Sequence, residues 1–371
     1  MNSIYLDYNA TAPTHSRVIE AVSACLAETG NPSSVHAAGR RARSLMEAAR
    51  ETVARAVNCL PRQVVWTSGG TEANAMVLAG TPAAHLFVSS VEHDSVLANA
   101  PGAQRLPVDA NGIVDLDALS ARLAAVEGRK LVSVMLANNE TGVIQPIAEI
   151  AARCREGGAW LHVDAVQALG RITVDVQALG ADFLTLSAHK VGGMKGVGAL
   201  VVANDLVEIQ PLMRGGGQEL GRRAGTENLP GIVSFGAALE ALAALGDWQA
   251  RVRDLRDHME ARLLELGAAI NGRGAPRLPT TASVRMPGVP AETQVMAFDL
   301  AGIAVSAGSA CSSGKVKTSH VLSAMGQDAE TAGQSIRVSL GWETSAHDID
   351  QFLAVWQRLW SRRRPAAQAA E

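Results

Sequence analysis

A lysine follows a short apolar run near the middle of the chain. The segment Ser187-Ala188-His189-Lys190 comes directly after the predicted strand 182–186. Ligands of open α/β sheets bind at the carboxyl ends of the strands, where Lys190 would lie. A lysine removed from water has a lowered pKa and can form a Schiff base with an aldehyde cofactor. The alternative is a solvated lysine before the glycine-rich turn at 192–196.

A carboxylate and an amide follow a second apolar run. Asp164 ends the predicted strand 160–164, and Gln167 comes three residues later. A pyridoxal ring withdraws electrons only while its pyridine nitrogen is protonated, and a neighbouring carboxylate keeps the proton there. Asp164 is the candidate for that role, and Gln167 could donate to the ring oxygen. A helix N-cap aspartate is the alternative, but lysine and aspartate at two successive strand ends favour a cofactor site.

Two glycines join a third predicted strand to a helix at 67–74. The N–H groups at the start of a helix and the helix dipole both favour a phosphate. Gly70 and Thr71 are therefore candidates for an anion site, although the stretch matches neither GxGxxG nor the P-loop. A capping box that starts at Thr71 is the alternative.

Two further polar residues follow strand-like runs. His93 comes after the run 85–90, and a neutral imidazole there could stack on a flat cofactor ring and move protons. Asn139 comes after the run 131–136 and could donate to the phenolic oxygen of the cofactor. A surface-loop histidine and an Asx turn are the respective alternatives.

A cysteine lies in a stretch of small and polar residues near the carboxyl end. Residues 307–315 hold glycines, serines and alanines around Cys311, a composition that predicts a mobile loop with an accessible thiol. Lys315 could favour the thiolate. Arg337, in the predicted strand 335–339, can bind a substrate carboxylate through its planar fork. A surface ion pair is the alternative for Arg337.

The elements around these residues predict an α/β fold. Short apolar runs alternate with helical stretches such as 72–80, 115–126 and 147–157, which predicts a three-layer domain with a mostly parallel sheet. A long helix over 233–268, shorter strands and a final helix over 346–361 predict a smaller α+β domain. We expect a large domain of residues 14–245 and a small domain of residues 1–13 and 246–371 that carries the Cys311 loop.

Composition limits the other possibilities. The chain has 371 residues, a formal net charge of −3 and 47% apolar residues, so it lacks the charge of a nucleic-acid or membrane-surface protein. The first residues do not resemble a signal peptide, and no apolar stretch approaches a membrane span of about 20 residues. Four scattered cysteines without CxxC spacing predict neither a disulfide framework nor a metal site. We therefore expect a cytoplasmic protein.

Together these motifs resemble the cysteine desulfurase family (NifS/IscS-like), in the class V aminotransferase group of fold-type I pyridoxal-phosphate enzymes. The similarity runs over nearly the whole chain. Its motifs include Ser187-Ala188-His189-Lys190 and Gly308-Ser309-Ala310-Cys311, and also the stretches 5–11, 214–219, 223–226 and 335–341. The stretches Thr11-Ala12-Pro13 and 191–196 depart slightly from the family pattern.

The resemblance implies a pyridoxal 5'-phosphate enzyme that removes sulfur from L-cysteine and releases L-alanine. Lys190 would hold the cofactor and later move a proton, and Arg337 would bind the substrate carboxylate. Cys311 would accept the sulfur as a persulfide. The implied cofactor contacts are Asp164 at the pyridinium, Gln167 and Asn139 near the ring oxygen or substrate, His93 on the ring, and Thr71, Ser187 and His189 at the phosphate.

The resemblance also implies partners. Thr226 would reach the cofactor phosphate of a second subunit, so a homodimer is expected. The persulfide sulfur would pass to an acceptor protein, such as an iron–sulfur scaffold. A selenocysteine lyase and another class V aminotransferase-type enzyme remain alternatives, as does a non-catalytic sulfur-relay protein. The combination of Lys190, Asp164 and Cys311 argues against the last of these.

Overall fold

The structure is a computed structural model that describes residues 3–308 and 318–363. Its strands are β1 (Ile4–Tyr5), β2 (Val64–Thr67), β3 (His85–Ser89), β4 (Gln104–Leu106), β5 (Lys130–Met135), β6 (Ala159–Asp164), β7 (Phe183–Ser187), β8 (Gly198–Val202), β9 (Ala269–Ile270), β10 (Thr281–Arg285), β11 (Ile303–Ala304), β12 (Ser306–Ala307) and β13 (Ser335–Ser339). Its α-helices are α1 (Ser16–Leu26), α2 (Ala37–Ala56), α3 (Gly70–Gly80), α4 (Asp94–Leu97), α5 (Leu116–Ala124), α6 (Ile147–Glu156), α7 (Val176–Leu179), α8 (Leu229–Ala243), α9 (Trp248–Glu265), α10 (Ala291–Leu300), α11 (His320–Ala324), α12 (Ala329–Ala332) and α13 (Ala346–Arg363). Short 3-10 helices span Pro61–Gln63, Ala188–Lys190 and Gln218–Gly221.

The main sheet has seven strands in the order β2-β8-β7-β6-β5-β3-β4. Strand β8 pairs antiparallel with both of its neighbours, and the other pairs are parallel. The carboxyl ends of β2, β3, β5, β6 and β7 therefore lie on one edge of the sheet. This arrangement confirms the prediction of a mostly parallel sheet, and it brings the polar residues that follow these strands together.

Both faces of this sheet are buried, because successive side chains of a strand point to opposite faces. Val65 and Leu200 belong to a core with Met76 of α3, whereas their neighbours Trp66 and Val201 belong to a second, larger core. In that second core the ring of Trp66 lies 6.2 Å from the ring of Phe235 of α8. Helices on both faces make the predicted three layers.

The chain's first residues pair with strands near its end. Strands β12-β13-β10-β9 form an antiparallel sheet, and β1 pairs parallel with β11. Asp7 forms a parallel bridge with Ser339, and the Asn9 N–H donates to the Ser339 hydroxyl at 2.9 Å. The Ala12 N–H then donates to the His189 carbonyl at 2.9 Å. The segment between Asp7 and Ala12 therefore links the small sheet to the carboxyl edge of the main sheet.

The prediction of one long helix over 233–268 is wrong. This stretch holds α8 and α9, with a 75° bend between them. Gly246 has a left-handed φ of 64°, and the side chain of Asp247 caps α9 by accepting from the Ala250 N–H. Within residues 3–308 and 318–363, no single helix is long and apolar enough to cross a membrane. The bent pair α8 and α9 reaches that length and composition only when taken together.

Candidate active site

The candidate residues meet in a cavity of about 410 Å³ at the carboxyl edge of the main sheet. Ten of the twelve candidates line it: Gly70, Thr71, His93, Asn139, Asp164, Gln167, Ser187, His189, Lys190 and Arg337. Thr226 is exposed and lies outside this lining. Cys311 lies outside the described residues. The strand-end motifs thus form a single site, although they are spread over 268 positions of sequence from Gly70 to Arg337.

Lys190 ends the 3-10 helix that follows β7. Its Nζ donates to the carbonyls of Asn9, at 2.6 Å, and Ala10, at 2.9 Å. Burial, helped by the nearby charges of Arg337 and Arg171, lowers the pKa of Lys190 from 10.5 to about 7. A substantial fraction of the amine is therefore neutral at neutral pH and available as a nucleophile or base. This environment is not that of a solvated lysine.

Asp164, at the end of β6, is only 5% exposed. Its Oδ1 accepts from the Val166 N–H at 3.0 Å, and its Oδ2 accepts from the Asn74 side-chain amide at 2.8 Å. The residues after Asp164 form turns, so the N-cap alternative is wrong. Two donors hold this carboxylate in a fixed orientation at the cavity wall.

A hydrogen-bond chain connects Asp164 to His93. The Asn74 amide that donates to Asp164 also donates to the Ser95 hydroxyl at 2.9 Å. That hydroxyl lies 2.8 Å from Nδ1 of His93, and the Ser95 N–H donates to the same nitrogen at 3.1 Å. Because Nδ1 accepts these bonds, a neutral His93 ring carries its proton on Nε2. The orientation and tautomer of His93 are therefore set by its neighbours.

The amino end of α3 provides N–H groups at the cavity. Its N-cap is Gly69, which provides no side chain for capping, so the alternative of a capping box at Thr71 is wrong. Glu72 instead accepts from the Ser68 N–H at 2.7 Å and pairs with Arg223. A Cβ on Gly70 would lie 2.9 Å from Val166. This close approach requires glycine where the helix begins at the cavity.

Arg337, on β13, lies in the cavity wall and is 6% exposed. Its Nη2 donates to Oδ1 of Asp7 at 2.8 Å, and its Nη1 donates to the Asn139 carbonyl at 3.2 Å. Its Nε is buried and has no hydrogen-bond partner among residues 3–308 and 318–363. Arg337 therefore does form an ion pair, but this pair is buried in the cavity wall and does not lie on the surface, as the alternative had it.

Gln167 and a buried arginine hold the chain around Asn9. The Gln167 amide donates to the Asn9 carbonyl at 3.1 Å, and its carbonyl accepts from Arg171 at 2.7 Å. Arg171 also donates to Oδ1 of Asn9 and to the Tyr8 carbonyl. Burial, and secondarily Arg337, lowers the pKa of Arg171 to about 9. Both ends of the Gln167 side chain are therefore engaged within the protein.

The sequence motifs gave no role to four polar residues that line the cavity or hold its wall. These residues are Asp7, Asn9, Asn74 and Arg171. A signal existed for two of them. Arg171 is a single charge in the apolar run 168–172, and Asn74 lies on α3 four residues after Gly70. The other two lie in the family motif 5–11, beside β1, which has only two residues and no periodic pattern to indicate what they contact.

A buried carboxyl under the site gives a prediction about stability. Burial raises the pKa of Glu92 well above 4.5. Its Oε1 accepts from the Met135 N–H at 2.7 Å, and its Oε2 is buried without a partner among the described residues. A carboxyl whose pKa is raised in the folded protein makes its full contribution to the free energy of unfolding below the unfolded-state pKa of about 4.3. That contribution declines as the pH rises toward the pKa of the folded state.

We therefore expect Glu92→Gln to become more stable, relative to the unsubstituted protein, as pH rises from 5 to 8. The amide keeps the shape and the acceptor for Met135 but cannot ionise. Glu92→Ala removes that acceptor and should cost about 1–3 kcal/mol. Urea unfolding at several pH values measures both effects. A constant difference between Glu92→Gln and the unsubstituted protein across this range would contradict the assignment.

The chain is similar over nearly its whole length to known proteins. The class-V aminotransferase family model matches residues 4–352. The cysteine desulfurase IscS of Dictyoglomus turgidum is 40% identical over 97% of this chain and 95% of its own length. The cysteine desulfurase IscS 1 of Archaeoglobus fulgidus is 42% identical over 95% of each chain.

Solved structures agree with this relationship. A NifS-like protein from Rickettsia africae, 35% identical, superposes with a TM-score of 0.89 over 97% of this chain and 100% of its own. The similarity confirms the fold and the family that the motifs predicted. The chain therefore belongs to the class-V aminotransferase family, and within it to the cysteine desulfurases.

Proposed function

We propose that this protein uses pyridoxal 5'-phosphate to take the sulfur of L-cysteine, releasing L-alanine and leaving a persulfide on Cys311. The observation that carries the proposal is one cavity that joins Lys190, Asp164 and Arg337. Each supplies a different requirement: an amine with a lowered pKa, a fixed carboxylate and a carboxylate-binding fork. The names of the relatives as cysteine desulfurases support the choice of substrate.

The donor set fits the cofactor. The amino end of α3 lacks a side-chain cap, so its N–H groups are available to a phosphate, together with Thr71, Ser187 and His189. Burial and the charge of Lys190 lower the pKa of His189 to about 4, so the ring is neutral at pH 7 before a phosphate binds, and a ring N–H can donate to that phosphate. Asp164 would hold a proton on the pyridine nitrogen, and Lys190 would bind the aldehyde. The bound cofactor would supply an electron sink next to the amino acid.

The protein's own groups then perform positioning and proton transfer. Arg337 would fix the substrate carboxylate, and Asn139 would stand beside the ring oxygen and the substrate. Lys190, with a pKa of about 7, can both accept and return a proton near neutral pH. His93 presents Nε2–H as its donor, because Nδ1 is occupied by Ser95. In the transfer step the Cys311 sulfur would form an S–S bond as the substrate's C–S bond breaks.

The sulfur then needs an acceptor, and we propose a protein of iron–sulfur cluster assembly. We also propose a homodimer in which Thr226 reaches the cofactor phosphate of the second subunit. The exposure of Thr226, outside the lining of its own chain's cavity, supports that role. We also propose that the chain divides into a large domain of residues 14–245 and a small one of residues 1–13 and 246–371, and the separate seven-stranded and four-stranded sheets support this division.

Alanine production tests the function. Purified protein with L-cysteine and a reductant should release alanine and sulfide in equal amounts. Asp164→Asn should slow turnover by roughly 10²–10⁴-fold while cofactor content persists, because only the charge beside the ring is lost. Asp115→Asn, a change at the exposed start of α5, is a matched control and should keep turnover. Conversion of selenocysteine alone, or amino transfer without sulfide, would instead support the selenocysteine lyase or the aminotransferase.

A further inference from the structure

Asp7 places a negative charge in the part of the cavity that is proposed to bind the substrate carboxylate. Asp7 and Arg337 both line the cavity, and their side chains are 19% and 7% exposed. The contact joins a single oxygen, Oδ1, to a single nitrogen, Nη2, at 2.8 Å. A guanidinium binds a well-placed carboxylate more strongly through two parallel hydrogen bonds. Asp7 therefore occupies Arg337 without using its full capacity.

We propose that Asp7 is an internal counter-ion that the α-carboxylate of the amino acid replaces at Arg337. Asp7 thereby sets how tightly the cavity holds amino acids. This inference rests on the proposed function, in which Arg337 receives the substrate carboxylate. Asp7 acts through Arg337 and is a residue that determines affinity rather than a catalytic one.

The surrounding charges support a weak internal pair. Lys190 is close to both members of the pair, and also to Arg171 and to the carboxylate of Asp164. Arg337 also acts on the buried carboxyl of Glu140, which lines the same cavity. Asp164 is fixed by two donors, so it does not compete for Arg337. Without Asp7, Arg337 would lose its ion-pair partner, which is costly in a buried place. Asp7 reduces that cost until a ligand carboxylate arrives.

Competition of this kind weakens substrate and product equally. Cysteine and alanine carry the same carboxylate, so Asp7 lowers the affinity of the cavity for both. The ratio of the two affinities stays unchanged. Such uniform effects change KM without accelerating the chemical step. The benefit is faster release of alanine from a site that would otherwise retain it.

Two ligands that differ by one carboxylate test the proposal. Titration calorimetry of the full-length, cofactor-loaded protein should show that Asp7→Asn binds L-alanine roughly tenfold more tightly, the scale of one hydrogen bond to a charged group. The affinity for ethylamine, which is alanine without its carboxylate, should stay within about twofold. In steady state, KM for cysteine and the inhibition constant of alanine should fall by the same factor.

The Arg337→Gln background separates competition from other effects. There the Asp7→Asn change should no longer improve alanine binding, because the shared partner is gone. Unchanged or weaker alanine binding in Asp7→Asn, or an equal gain for ethylamine, would overturn the proposal. Asp7→Ser serves as a second variant if Asp7→Asn folds poorly. Failure of the unsubstituted protein to produce alanine from cysteine would reject the proposed function, and the alanine-to-ethylamine comparison still decides the role of Asp7.

Discussion

Lys190→Ala should remove the covalent link between the protein and its cofactor and lower alanine production by roughly 10³-fold or more. The Lys190 amine is held by two carbonyls in the cavity, and its pKa of about 7 makes it reactive near neutral pH. Borohydride reduction followed by mass analysis of peptides measures the link directly. The unsubstituted protein should carry the added mass on the peptide that contains Lys190.

Lys195→Ala is the matched control, because that lysine is exposed five residues further along the chain. It should retain the reducible link. If borohydride still attaches the cofactor to the Lys190→Ala protein, a different amine forms the link. The lowered pKa of Lys190 would then require another explanation.

Cys311→Ser should abolish alanine release, by at least about 100-fold, while the cofactor still responds spectrally to added cysteine. A serine hydroxyl is a much weaker nucleophile than a thiolate at neutral pH and cannot carry a persulfide. The early steps depend on Lys190 and Asp164, which this substitution leaves unchanged. Rapid-mixing absorbance with a parallel alanine assay separates the two stages.

The other cysteines provide the controls. Burial raises the pKa of Cys59 and of Cys154 to about 12, and neither they nor Cys25 lines the cavity. Cys59→Ser should therefore keep turnover within a small factor, and it is the mildest of the three because Cys59 is only half-buried. Alanine release at the normal rate by Cys311→Ser would remove Cys311 from the mechanism. Loss of the spectral response would point to a collapsed site.

The sequence predicted those parts of the site that follow regular strands. Apolar runs fixed β5, β6 and β7 to within one residue, so the positions of Asn139, Asp164 and Lys190 at one sheet edge followed from topology. The hydrogen-bond chain from Asp164 to His93 could not be predicted in this way. It depends on the contact between Asn74 of α3 and Ser95 of α4, and this contact results from tertiary packing rather than from local sequence.

The side of the cavity that contains Asp7 and Arg337 was not predictable from local sequence patterns. Asp7 and Arg337 are 330 residues apart, and β1 is too short to show a period. Gln167 lines the cavity and is also bound to Asn9 and Arg171. The sequence alone does not reveal these two contacts, because Asn9 is 158 residues away along the chain. The single helix predicted over 233–268 failed because Gly246 in a left-handed conformation ends a run whose composition otherwise continues.

The pairing of the first residues with the last strands has a consequence for biosynthesis. Asn9, whose carbonyl holds the Lys190 amine, is bound to Ser339, which is translated 330 residues later. At about 5–20 residues per second, this separation corresponds to roughly 15–70 seconds on the ribosome. During that time the segment around Asn9 lacks the strands that hold it. The complete surroundings of the lysine therefore exist only in chains whose synthesis has passed residue 339. The segment around Asn9 is synthesised first, but it is the last part of the cavity wall to reach its folded position.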